Sequence, residues 1–456
     1  MKLTLTQIAR WIAAEPLTGG DAVSATGYSI DSRTLQPGDL FFAVRGERFD
    51  GHEFVGKALE SGACAAVVAR ASAQQLPNHE KLLVVDDPLM ALQRLAASVR
   101  RQWGKRVVGI TGSAGRTTTK EAVAAVLAAR FSVLRSQGNL NNHFGVPLQL
   151  LKLQPEHEVA VIEMGMSAAG EIAALCRIAA PDWGVVTNVG HAHAEFFFDG
   201  VAGIARAKYE LVAALPRHGV AFLNCDDPYV SQFGRGFEGN AVYFGRGPCA
   251  DPRVDVVEPL GAEGIRMQVR AGAEKAELVL RLPGEHNASN ALAAIAVGIQ
   301  AGIPLAACCE ALAALRPDEK RGQVVQFRGA TIINDSYNSN PEALKSMIAT
   351  LKATQAQRRI LVAGEMLELG AEAAALHAAC GKAAAQAGIE VVIGVRGNAQ
   401  HIVETAQGGG AEARFVETPE EAGAWLRDNL REGDAVLLKA SRGVRLERAL
   451  TVLTGA

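Results

Sequence analysis

Apolar residues recur along this chain in two rhythms. Short runs of four or five, rich in valine, isoleucine and alanine, alternate with longer stretches whose apolar positions return every three or four residues. The first rhythm predicts buried strands, the second helices packed on one face. Up to about residue 100 the pattern predicts a helix around Leu5 to Ala14, strands at 40–44, 65–68 and 82–85, and a helix near 53–61. From about 104 to 315, strands at 107–111, 159–163, 184–188 and 220–224 alternate with helices, one of them running from Thr117 to Ala129. The alternation returns from about 318, with strands at 331–334, 360–363, 391–395, 413–416 and 435–438 and helices near 341–353, 373–387 and 419–430. Such alternation predicts the α/β class with mainly parallel sheets. The polar run 316–322, with its proline and glycine, reads as a linker. A length of 456 residues suggests about three domains, expected at 1–103, 104–316 and 317–456.

Polar residues cluster where these strands end. They are Gly112 to Thr118, Glu163, Asn188 to His193, Asp335 to Asn338, Glu365, and Lys439 to Arg442. Open parallel sheets bind ligands beyond the carboxyl ends of their strands, so the clusters point to a site there. Composition narrows the partners. Apolar residues make up 49%, and the net charge of −2 gives no general attraction to nucleic acid or membrane. No apolar run is long enough to cross a bilayer, and the first residues lack the form of a secretion signal. The seven cysteines include no C-x-x-C pair. That predicts reduced thiols in a cytoplasmic protein and argues against a zinc site or a disulfide framework.

The stretch around which the chain is organised is Val107 to Lys120. A strand enters a glycine-rich turn at Gly112, Ser113, Ala114 and Gly115, and a helix leaves at Arg116, Thr117 and Thr118. Glycines let a backbone wrap an anion, and a helix start presents free N–H groups and the positive dipole end. A threonine hydroxyl there can reach magnesium carried by phosphates. This reads as a triphosphate cradle. It departs from the usual P-loop, being shorter and carrying Arg116 where that pattern has lysine.

Other positions stay open on residue chemistry alone. Glu163, at the end of an apolar strand, needs a metal, an arginine or N–H donors if it is buried. His193 fits a metal ligand or a hydrogen-bonded loop histidine. Lys208 has the spacing of an ordinary helical lysine. Asn287 could read a purine or cap a helix.

The motifs taken together resemble the Mur ligase family over essentially the whole chain. They are Asp31-Ser32-Arg33, Gly46 to His52, Asn139 to Pro147, Asn188 to Glu195, Asp335 to Pro341, Glu365 to Gly370 and Leu438 to Arg442. The resemblance implies a first domain for a UDP-linked substrate, a central P-loop-type ATPase domain, and a Rossmann-like C-terminal domain closing over ATP. It implies ATP- and magnesium-dependent amide synthesis through an acyl phosphate, joining D-alanyl-D-alanine to UDP-N-acetylmuramoyl-tripeptide in peptidoglycan precursor synthesis. By the same resemblance Thr117 and Glu163 hold magnesium, His193 a second ion, and Lys208 carries a carbamate facing the metal. Arg116 meets phosphate, Asn287 adenine and Asp335 the ribose. Asn338, Lys439 and Arg442 lie at the closing face, and Ser32, Arg48 and His52 contact the UDP end. A monomer without nucleic-acid partners or membrane insertion is expected. Two positions depart from the family pattern: Arg116 for lysine, and Ala440 for glycine. Arg116 also motivates a reading as a nucleotide-binding protein with impaired catalysis, and a related amino-acid-adding ligase is the other alternative.

Overall fold

The computed structural model describes residues 2–46, 48–190 and 194–455. Three α/β units follow one another. In the first, four parallel strands stand in the order Gly27–Ser29, Asp39–Phe42, Ala65–Ala69 and Leu82–Val85. The helix Pro88–Trp103 then leads into the second unit. It begins where sequence chemistry favours it: the Asp87 carboxylate accepts the Leu89 and Met90 amides at 2.8 and 3.2 Å, and Pro88 stands at the first helical position. It ends at Gly104, whose φ of +68° lets the chain turn away.

The second unit has a six-stranded parallel sheet. Its order is Asn240–Phe244, Val220–Asn224, Trp183–Val186, Arg106–Thr111, Val159–Glu163 and Val133–Arg135. Every residue of Val159–Glu163 is buried, Glu163 included, as expected of a strand covered on both faces. One face of this sheet packs on Leu92, Leu95 and Val99 of the long helix and shares a continuous core with the first unit. Arg100 closes the seam. It is 6% exposed and donates to the Ala179 carbonyl at 2.8 Å, the Ala180 carbonyl at 2.9 Å and Asp182 Oδ2 at 2.9 Å.

The other face packs on the helices Asn287–Gln300 and Leu305–Ala313 and on an antiparallel three-stranded sheet, Arg253–Pro259, Ile265–Ala271 and Glu274–Leu280. The expected strand–helix alternation therefore breaks over 253–280. Those strands alternate apolar and polar residues because only one face is covered, a pattern distinct from the apolar runs of the parallel sheet. The turn Gly261–Glu263 at the tip of this sheet rests on the third unit. A Cβ on Gly261 would come within 2.5 Å of the Thr354 Cα.

The third unit is another six-stranded sheet. One antiparallel edge strand, Gln323–Phe327, precedes five parallel ones in the order Ala330–Asp335, Asp434–Lys439, Arg358–Gly364, Val391–Val395 and Glu412–Val416. Apolar clusters cover both faces. No helix among the described residues is long and apolar enough to cross a membrane.

The expectation of reduced thiols is corrected at one pair. Cys225 and Cys249, 24 residues apart with Cα atoms 6.1 Å apart, are disulfide-bonded. They follow the adjacent parallel strands Val220–Asn224 and Asn240–Phe244, so the topology brings the two loops together.

Replacing Arg100 with methionine leaves two carbonyls and the Asp182 carboxylate short of a donor at the seam. The expected loss is ~2–3 kcal/mol, seen as a lower midpoint in denaturant. An unchanged midpoint would remove Arg100 from the account of how the first two units are joined.

Candidate active site

The glycine-rich turn follows the central strand Arg106–Thr111 and opens the helix Arg116–Ala128. Gly112 has a φ of +155° and Gly115 a φ of +77°. A Cβ would lie 1.8 Å from Thr187 Oγ1 at the first and 2.5 Å from Asn290 Oδ1 at the second. Only glycine fits either position. The neighbouring strand end holds the turn in place: Asn188 Oδ1 accepts the Ala114 amide at 2.8 Å, and the Ser113 amide donates to the Asn188 carbonyl at 3.0 Å.

Glu163 lies beside the turn with its side chain 3% exposed. Oε2 accepts the Thr117 hydroxyl at 2.9 Å, Oε1 accepts the Asn141 amide at 2.8 Å, and Arg116 Nε stands 3.5 Å from Oε1. Arg116 also donates from Nη1 to the Gly112 carbonyl at 2.9 Å. Lys208, on the helix Val201–Ala213, is fully buried, and its ammonium has no hydrogen-bond partner among the described residues. Burial, and then the Arg116 charge, hold its pKa well below the usual lysine range. Both causes favour the neutral amine relative to a free lysine.

These groups suit magnesium carried in by a nucleotide. Carboxylate and hydroxyl oxygens are the donors that magnesium takes, with phosphate and water completing its shell. Among the described residues no group of three or more His, Cys, Asp or Glu could hold a metal unaided. His193 lies outside the described residues.

The third unit faces this turn across a cleft. The cleft is lined by Ser113 to Thr118, Asn141 and Glu163 on one side and by Arg321, Asp335, Tyr337, Asn338 and Lys439 on the other. Asn287 and Asn290 form part of the wall. They are linked: the Asn290 amide donates to Asn287 Oδ1 at 2.8 Å, and Asn287 Nδ2 donates to the Pro283 carbonyl at 2.8 Å. Asn290 Oδ1 in turn accepts the Thr119 hydroxyl at 3.1 Å. The asparagines thus brace the loop helix as well as facing the cleft.

Several expected contacts are redirected. Lys439 is 3% exposed and gives its ammonium to Asp335 Oδ2 at 2.5 Å and to the Asn338 carbonyl at 2.9 Å. It is a buried counter-ion in the cleft wall. Arg442 reaches the cleft through Tyr337, donating to its hydroxyl at 2.8 Å. His52 has no ring nitrogen free for a UDP contact: Nε2 accepts the Ala69 amide at 2.9 Å, which leaves Nδ1–H to donate to Asp50 at 2.6 Å. Ser32 is half-buried, Arg48 is exposed, and neither lines the cleft.

Comparison with known proteins agrees with this arrangement. Residues 24–100 match the Mur ligase family catalytic domain, 110–298 the Mur ligase middle domain, and 320–442 the Mur ligase glutamate ligase domain. The UDP-N-acetylmuramoyl-tripeptide–D-alanyl-D-alanine ligase of Bacillus subtilis (strain 168) is 36% identical over 425 residues, covering 92% of this chain and 91% of that one. The chain belongs to the Mur ligase family. A crystal structure of MurF from Acinetobacter baumannii superposes with a TM-score of 0.90 at 28% identity, covering 100% of this chain and 99% of that one. The MurF ligase from Thermotoga maritima in complex with ADP gives 0.82 at 29% identity, covering 94% and 97%.

Set against this family, two residues of the site had escaped the motif reading. Asn141 lies within the quoted Asn139-to-Pro147 motif, but only the fold brings it to Glu163. Arg321 was assigned to the linker. It lies over the Tyr337 ring, 3.6 Å from guanidinium carbon to ring centroid, and no local signal in a polar stretch could have marked it.

Gly112→Ala and Gly115→Ala each force a methyl into an occupied position. Each is expected to weaken binding of a nonhydrolysable ATP analogue more than tenfold, measured by calorimetry, while the circular dichroism stays that of the parent. Unchanged affinity in both would show that the turn does not carry the nucleotide.

Proposed function

We propose that the chain is an ATP-dependent amide ligase that joins D-alanyl-D-alanine to UDP-N-acetylmuramoyl-tripeptide, a step of peptidoglycan precursor synthesis in the cytoplasm. The observation that carries the reading is the buried Glu163–Thr117 pair beside the glycine-rich turn, facing Asp335 and Lys439 across one cleft. Full-length likeness to dipeptide-adding relatives supports the substrate assignment.

A carboxylate is a poor acyl donor, so activation must precede amide formation. The terminal carboxylate of the tripeptide attacks the γ-phosphorus of ATP, giving an acyl phosphate and ADP. The dipeptide amine then attacks the acyl carbon, and inorganic phosphate leaves. Magnesium, when bound, offsets charge on the phosphoryl oxygens. Thr117 and Glu163 are the residues that would hold it, with His193 assigned to a second ion. Arg116 and the turn amides align the phosphates. Lys208 is suited to carbamate formation because burial favours its neutral amine, and only the neutral amine adds carbon dioxide. The carbamate would place an anion there, facing the metal or water. Asn287 and Asp335 bound the nucleoside side, and Asn338 and Arg442 the dipeptide side.

Phosphate release with ATP, magnesium and the UDP-tripeptide is expected to depend on D-alanyl-D-alanine, with the product mass gaining both alanines. Dipeptide-independent release, or none, would contradict the assignment. Arg116→Lys is expected to preserve or raise turnover; a large loss would show a site rebuilt around arginine. Stripping dissolved carbon dioxide should lower activity, and bicarbonate should restore it. Lys208→Arg, which keeps a charge but forms no carbamate, should be inactive at any bicarbonate concentration.

A further inference from the structure

The cation of the glycine-rich turn is spent inside the protein. Arg116 bridges two elements, donating from Nη1 to the Gly112 carbonyl at 2.9 Å and placing Nε 3.5 Å from Glu163 Oε1. Glu163 is otherwise occupied by Thr117 at 2.9 Å and Asn141 at 2.8 Å. The oxygens expected to take a metal therefore already have partners, one of them cationic. An ammonium at this position is a single point of charge on a flexible stem. The planar guanidinium can meet a carbonyl through one nitrogen and a carboxylate through another.

We infer that Arg116 acts as an internal counter-ion that occupies Glu163 in the nucleotide-free protein, so that divalent metal gains the site only when a triphosphate draws the arginine away. The inference rests on the proposed metal role of Glu163. A divalent cation on Oε1 would stand a few ångströms from the guanidinium, and beside a buried carboxylate that repulsion is screened less than in water. Phosphate oxygens offer the guanidinium a better partner, because they match its fork and carry more charge. Metal and nucleotide then bind with positive coupling, and by linkage each strengthens the other equally. A lysine in this turn would impose a weaker gate, so the arginine sets the metal requirement of this chain.

The test measures Mn2+ binding by paramagnetic resonance of the free ion, using the full chain with and without a nonhydrolysable ATP analogue. Nucleotide-free protein is expected to bind Mn2+ weakly. Arg116→Met should tighten that binding on the order of tenfold, which is about 1.4 kcal/mol. Arg116→Lys should tighten it less. The gain should vanish when Glu163→Gln is added to Arg116→Met. Unchanged nucleotide-free affinity in both Arg116 variants, alongside weaker binding in Glu163→Gln, overturns the inference while leaving Glu163 a metal-facing group. Indifference to Glu163→Gln in every background, with or without nucleotide, overturns the metal role of Glu163 and the inference with it.

Discussion

One buried carboxylate constrains the centre of this protein. Glu163 ends a strand covered on both faces, and an ionised carboxylate there is tolerable only with partners. The fold supplies them from two segments: Thr117 and Arg116 from the start of the loop helix, and Asn141 from the segment after Val133–Arg135. Each partner fixes a piece of backbone. The glycine-rich turn, the end of the neighbouring strand and the loop containing Asn141 are thereby held around one point. The groups proposed to hold the nucleotide's metal are the same ones that solve a burial problem.

The same logic extends across the cleft. Asp335 and Lys439 sit opposite one another in adjacent parallel strands and neutralise each other in the cleft wall. Tyr337 holds Arg321 and Arg442 against its ring, which keeps two cations near the cleft without burying either deeply. The third unit therefore brings a mostly neutral wall with cations at its margin, and the second brings the anion-binding turn. Between them, the tip turn Gly261–Glu263 and the contact of His286 Nδ1 with Ser346 Oγ at 2.9 Å join the two bodies.

Much of this was legible in the sequence where a single period dominates. The central parallel strands announced themselves as apolar runs because both faces are covered, whereas the edge strands Gly27–Ser29, Val133–Arg135 and Asn240–Phe244 are less apolar or less buried and gave no such run. The glycine-rich turn was legible because its residues are consecutive. The antiparallel sheet over 253–280 was missed because its half-covered strands weaken the apolar signal. The partners of Glu163 could be specified only by type. Asn141 is 22 residues away along the chain, and nothing local shows that its loop folds back onto the strand end. His52 is a case of the opposite kind: its motif suggested a ligand contact, and in the fold its ring nitrogens tie Asp50 to the end of the strand Ala65–Ala69. Lys208 looked like a surface residue because helical spacing does not reveal which face the next layer covers.

The central claim is that the cleft activates a carboxylate by transferring a phosphoryl group to it. The most direct measurement uses UDP-tripeptide labelled with oxygen-18 in its terminal carboxylate, with the released phosphate analysed by mass. The account predicts that one labelled oxygen appears in phosphate for each amide bond formed, because the acyl oxygen leaves with the phosphoryl group. Phosphate free of label, with amide product still formed, would contradict it.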